Sequence, residues 1–262
     1  MATSLIGGLL ANGYPAHSVR VTDTDPTQLQ STLTRFAVGE AADNQTLAAN
    51  VDVIVLAVKP QVLATVCREI ADTVAGRHPL VISIAAGVDE AAIDRWLGGG
   101  QAIVRCMPNT PALVGAGATA LHGNAKTSDQ HRDWAEMIMR SVGISVWVER
   151  EELLDTVTAL SGSGPAYFFL MMEAMADAAV KLGLDRDTAL LLTQQTALGA
   201  ARIAIESEET PAELRVRVTS PGGTTERAIA TFRQSDFSTI VENAMRAARD
   251  RAVELSQQLG AT

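Results

Sequence analysis

Val51-Asp-Val-Ile-Val-Leu-Ala-Val58, stopped by Lys59-Pro60, is a nearly unbroken run of β-branched and apolar residues. Such a run, too short for a buried helix of ordinary length, reads as a strand covered on both faces in a parallel sheet. Leu80-Val-Ile-Ser-Ile84 repeats the pattern, Ala102-Ile-Val-Arg105 shortens it, and Gly143-Ile-Ser-Val-Trp-Val148 closes the series. Helical patterns fill the gaps at 61–75, 89–97 and 128–141, and two more precede the run, at 2–12 and from Asp25-Pro26, where Asp25 caps and Pro26 takes the first turn. Strands alternating with helices predict a doubly wound α/β domain over residues 1–150.

From Glu151 onward the strand signals stop. Helices fit 153–160, 165–182, 187–207, 211–218, 225–234 and 238–259, with a capping box at Thr210-Pro-Ala-Glu213. Residues 151–262 therefore read as an all-α domain. Ala166-Tyr-Phe-Phe-Leu-Met-Met172 is apolar on every side for two turns and must be buried all round. Two arrangements do that: a second copy of the chain, or a central position inside one subunit.

Composition narrows the partners. Twenty-one Lys and Arg face 30 Asp and Glu, a net charge of −9, and no basic cluster interleaves with aromatics, which disfavours nucleic acid and anionic membranes. Cys67 and Cys106 are too few for a disulfide framework or a thiolate site, and read as reduced core residues of a cytoplasmic protein. His17, His78, His122 and His131 share no helical face, so no metal site is expected. No run reaches membrane-spanning length and no signal peptide opens the chain. The expected ligand is a small molecule.

In open parallel sheets ligands lie beyond the carboxyl ends of the strands. That rule selects Lys59-Pro60, Ala85-Ala-Gly87 and Met107-Pro-Asn-Thr-Pro111, which follow the three buried runs and together describe one cleft. Ala85, Ala86 and Gly87 would let backbone approach a flat ring. In the second half, Ser161-Gly-Ser-Gly-Pro-Ala-Tyr167 and Thr219-Ser-Pro-Gly-Gly-Thr-Thr225 each open into a helix. Pro-Gly-Gly bares the first-turn amides for a small anion, although ordinary helix caps use the same residues.

A nucleotide is the default ligand of such a sheet, and its usual Gly-rich turn is not seen before the first helix. Ala2 stands where the third small residue of G-x-G-x-x-G/A would be, so an opening strand and turn are expected upstream of Met1. No Ser-His-Asp, Cys-His or paired-carboxylate pattern suggests hydrolysis, which leaves hydride transfer.

Ala57-Val-Lys-Pro60, Arg105-Cys-Met-Pro-Asn-Thr-Pro111, Leu160-Ser-Gly-Ser-Gly-Pro-Ala-Tyr167 and Val218-Thr-Ser-Pro-Gly-Gly-Thr-Thr225 occur in this order, and across essentially all 262 residues the chain resembles the pyrroline-5-carboxylate reductases of proline synthesis. The resemblance implies a Rossmann-like domain, a helical dimerisation domain with interlocked subunits, and in many relatives a decamer of five dimers. It implies that Ser220, Gly222, Gly223, Thr224 and Thr225 hold the substrate carboxylate, with the Thr225 hydroxyl on the ring nitrogen as the catalytic contact. Ala57, Val58, Lys59, Pro60, Ala85, Ala86 and Gly87, with Asn44, Pro108 and Asn109, would line NADPH or NADH. Thr22-Asp-Thr24, at the end of the strand-like Ser18-Val-Arg-Val-Thr22, does not choose between the two cofactors. Glu151 matches an acidic position near the substrate, and would equally serve as a helix-start carboxylate. The alternatives are a non-catalytic relative without cofactor that forms a helical dimer and binds an imino acid, and a hydroxy-acid dehydrogenase, whose interdomain lysine is not found near the start of 160–182.

Overall fold

A computed structural model describes residues 1–260, which divide into two compact units: 1–163 together with the end of the chain from Ala247, and Gly164–Arg246.

The first unit is the expected α/β layer. Five strands, β3 (Val53–Leu56), β4 (Leu80–Ser83), β5 (Ile103–Met107), β6 (Gly117–Gly123) and β7 (Gly143–Trp147), lie side by side in that order, while β1 (Arg20–Val21) and β2 (Gly39–Glu40) form a separate parallel pair. Alternation along β4 shows why helices cover both faces. Val81 points into a core with α4 (Pro60–Arg77) and α5 (Glu90–Trp96), through Leu63, Cys67, Ile70, Val74 and Ile93. Leu80 and Ile82 point into the opposite core with α1 (Ala2–Ala11) and α6 (Asp129–Arg140), through Leu5, Ala135, Ile138 and Met139. Helix α1 packs so closely that a Cβ on Gly8 would stand 2.4 Å from the Ser141 carbonyl oxygen.

The local signals hold where capping chemistry is explicit. Asp25 accepts from the Thr27 amide and opens α2 (Pro26–Phe36), and Ser128 accepts from the His131 amide to open α6. Three elements were not legible: β2, α3 (Asn44–Ala49), and β6, whose Gly-Ala-Thr-Ala-Leu-His-Gly sequence carries little β-branched content. Strand β6 runs antiparallel to β5 and parallel to β7, so the sheet holds one reversed joint. Strand β3 packs on both faces, Ile54 and Leu56 in one core and Val53 and Val55 against the other, but the second face is covered less fully than its sequence suggested. It ends the five-stranded sheet, and Val53 and Val55 are only half-buried.

The second unit is helical: α8 (Gly164–Lys181), α9 (Arg186–Glu206), α10 (Pro211–Arg217), α11 (Thr224–Gln234) and the first part of α12 (Phe237–Gly260). Thr210 and Glu213 close the capping box of α10. Helix α8 is not a central helix of one protomer, because Phe168, Phe169 and Leu170 are 68%, 63% and 66% exposed.

Candidate functional site

The cofactor residues that the sequence places after β3, β4 and β5 come together at one edge. Register pairs Leu56 with Ser83 and Ser83 with Arg105, so the segments that leave β3, β4 and β5 stand side by side. Ala57 and Ala86 are exposed and Ala85 is buried, giving a floor of methyl groups without longer side chains. Lys59 takes the N-cap position of α4 with extended backbone, Pro60 begins the helix, and Val58 is half-buried. Such a floor fits a flat ring, and the exposed Lys59 ammonium fits an anionic ligand. Gly115-Ala-Gly-Ala-Thr-Ala120 has the glycine spacing of a dinucleotide turn, but it enters strand β6, so no helix N-terminus stands behind it.

Three of these residues have structural duties the sequence did not disclose. Gly87 has φ +71°, and a Cβ there would stand 3.4 Å from Leu255 Cβ, so this position accommodates the last turns of α12. Asn109 is buried: its Nδ2 donates to the Ser161 carbonyl at 3.0 Å, and its Oδ1 accepts from the Ala118 amide at 2.9 Å. Pro108 beside it is buried as well. Asn44, the first residue of α3, donates to Glu69 of α4 at 2.8 Å.

Helix α7 (Leu153–Val157) passes into a single π-helical turn, Thr158–Gly162, at the first glycine segment. Gly162 leaves room for Met107, whose Cε would lie 2.6 Å from a Cβ at that position. This segment is thus docked on the end of β5 by Gly162 and by the Asn109–Ser161 bond.

Glu151 falls in the first unit, within a polar cluster that composition could not reveal. Its Oε1 accepts from Arg105 Nη1 at 2.5 Å and from the Glu90 amide at 2.7 Å, while Glu90 meets His122 Nδ1 at 3.1 Å. Arg105 and His122 are opposite each other on β5 and β6. Burial and the neighbouring Glu151 charge push the Glu90 carboxyl above its ordinary range. The signal that could have exposed the cluster is Arg105 itself, a charge within an otherwise apolar strand.

Of the substrate residues named from the sequence, Ser220, Gly222, Gly223, Thr224 and Thr225 lie together in the second unit, whereas Glu151 lies in the first. A turn closes from the Gly223 amide to the Ser220 carbonyl, with Gly222 at φ +72°, where a side chain would be strained. Gly223 then caps α11 without any side-chain bond, so the helix start faces outward as bare amides. Ser220 and Thr224 are exposed and Thr225 is half-buried, and among the described residues the Thr225 hydroxyl has no protein partner. Glu226 reaches back to accept from the Gly222 amide at 2.8 Å. A carboxylate in the first turn is favourable beside the positive end of the helix dipole.

Residues 151–255 match the family described as pyrroline-5-carboxylate reductase dimerisation, and residues 1–87 match NADP oxidoreductase coenzyme F420-dependent. The pyrroline-5-carboxylate reductase of Pseudomonas aeruginosa is 50% identical over 99% of this chain and 95% of its own length. Among solved structures, that from Coxiella burnetii superposes with a TM-score of 0.94 at 46% identity, covering 97% of this chain and 94% of that one. A Plasmodium falciparum pyrroline carboxylate reductase with NADP bound gives 0.82 at 29% identity, covering 97% and 94%. With identity of this level along nearly the whole length, and with the strand-end floor and the bare helix start both in place, the chain belongs to the pyrroline-5-carboxylate reductase family.

Proposed function

We propose that this protein reduces pyrroline-5-carboxylate to L-proline, the last step of proline biosynthesis, with NADPH as hydride donor and NADH as the alternative. The full-length identity to the Pseudomonas reductase carries the reading. It favours a functional reductase over the non-catalytic relative and over a hydroxy-acid dehydrogenase. The enzyme works as a homo-oligomer built on its helical dimerisation region, with a decamer as the larger assembly we propose. Functionally we divide the chain at residue 150, into a cofactor part and a substrate and dimerisation part. No helix among the described residues is long and apolar enough to cross a membrane, and two free buried cysteines suit a cytoplasmic location.

The residues divide the work. Ser220 and the amides of Gly222, Gly223, Thr224 and Thr225 hold the substrate carboxylate, displacing Glu226 from the Gly222 amide. The Thr225 hydroxyl donates to the ring nitrogen, which fixes the ring face and supplies a proton path when the imine is neutral. Ala57 to Pro60, Ala85 to Gly87, Asn44, Pro108 and Asn109 line the cofactor, which when bound supplies a hydride to the imine carbon. For the protonated imine, C=N⁺H becomes CH–NH with no further proton required.

The test is pyrroline-5-carboxylate-dependent oxidation of NADPH and NADH by the purified oligomer. Inactivity with both cofactors refutes the reading. Thr225→Ala should lower kcat on the order of 100-fold, the lower end for one positioned proton-transfer group. An unchanged rate removes Thr225 from the mechanism.

A further inference from the structure

Glu151 spends its Oε1 on two donors from different elements: Arg105 of β5 and the Glu90 amide, the first N–H of α5. Asp89 takes the Ala92 amide at 2.7 Å in the same turn, so two carboxylates hold the start of α5. Only Val88 and Asp89 separate that start from the Ala85–Gly87 turn.

We infer that Glu151 is a positioning residue for the nicotinamide cofactor, fixing the Ala85–Gly87 turn through the Glu90 amide and anchoring it to Arg105. The inference rests on the reading of that turn as part of the cofactor floor. Arg105 is only 7% exposed and its Nε has no partner among the described residues, so Glu151 supplies the bond that compensates its charge. Glu90 and Asp155 also feel the Arg105 charge, but Glu151 is the carboxylate bonded to it, and breaking a buried pair makes that geometry costly to change. On its other side the turn is backed by Leu255 and Leu259 against Gly87, with Arg95 of α5 donating to the Gly260 carbonyl at 2.7 Å. Any shift of the α5 start is therefore passed to the turn.

The experiment measures NADPH binding by nicotinamide fluorescence without substrate, together with both KM values and the Tm, in Glu151→Ala and Glu151→Gln of the intact oligomer. Glu151→Ala should weaken NADPH binding and raise its KM roughly tenfold, as expected for loss of one charge-assisted bond, with the KM for pyrroline-5-carboxylate nearly unchanged. Glu151→Gln keeps an oxygen for the Glu90 amide and should recover most of that loss. A raised substrate KM with normal NADPH binding overturns the inference and puts Glu151 at the substrate; so does normal NADPH binding with both KM values unchanged. If Glu151→Ala fails to fold around the lone Arg105 charge, the double variant with Arg105→Met removes that charge and must still bind NADPH weakly. Tight binding there overturns the inference equally. A wild-type enzyme that binds NADPH but does not oxidise it with pyrroline-5-carboxylate refutes the proposed function instead, and the NADPH affinities of the variants still decide the role of Glu151.

Discussion

Replacing Asn109 with Ala should cost the first unit about 2–4 kcal/mol. Its side chain bridges two segments distant in sequence, donating to the Ser161 carbonyl at 3.0 Å and accepting from the Ala118 amide at 2.9 Å. A polar group left without its partner away from water costs about 1–3 kcal/mol. Ser161 and Ala118 are partly buried, which places each toward the lower part of that range. The sum is a large fraction of the roughly 5–15 kcal/mol that holds a typical domain together. Trp96, Trp134 and Trp147 all lie in the first unit, so tryptophan emission during urea unfolding reports on that unit alone. Amide exchange at Ala118 should accelerate in the same variant. Asn109→Asp keeps an acceptor for Ala118 but turns a carboxylate oxygen toward the Ser161 carbonyl, so it should regain stability only where that carboxylate is protonated. A loss below about 1 kcal/mol with unchanged Ala118 exchange would refute the clamp. Intact stability with lost NADPH affinity would leave Asn109 its cofactor contact alone and remove the clamp.

The Glu90 carboxyl, raised by burial and by Glu151, binds its proton more tightly in the folded chain than in the unfolded one. Its contribution to stability is therefore full below the ordinary value of 4.5 and is lost as pH rises through the raised one. Subtracting the stability–pH profile of Glu90→Gln from that of the parent should give a difference that falls with pH in this window; a rising difference contradicts the assignment. Cys67 is fully buried with its thiol pushed up to about 12, and burial pushes the Cys106 thiol up too, so iodoacetamide at neutral pH should label neither until urea unfolds the protein. Phe169→Asp places a charge on an apolar surface that is 63% exposed in one protomer, and light scattering should show a smaller assembly. An unchanged mass would put Phe169 outside the interface.

The sequence is most legible where one residue dictates backbone conformation or capping. Asp25-Pro26, Ser128 and Thr210 with Glu213 each start the helix they announce, because a side-chain oxygen satisfies an amide that the helix cannot. The strand ends at Lys59, Ala85 and Pro108 are legible because the apolar runs stop there. Strand β6 escaped because its pairing, not its residues, makes it a strand: Gly117 faces Gly143, and a Cβ on Gly143 would lie 2.0 Å from the Gly117 carbonyl oxygen. Small residues that read as loop are what this close approach requires. The cluster around Glu151 escaped for a different reason. Its partners, Glu90 and Arg105, lie 61 and 46 positions away, and no local pattern joins them.

The Ala166–Met172 run shows how a sequence can pose a question that one protomer answers by failing to bury it. Within the second unit α8 and α9 pack on each other through Ala176, Ala189 and Thr193, small residues that bring two backbones close but bury little apolar area. Leu191, Leu198 and Ile205 along α9 remain 67%, 61% and 83% exposed, beside the exposed Phe168 to Leu170 of α8. Apolar surface of that extent is not left to water in a stable protein, and the family match supplies its cover, a dimerisation region. The proposed carboxylate cradle is built on α11 of this same unit, so a variant that loses the second copy should lose substrate affinity together with mass.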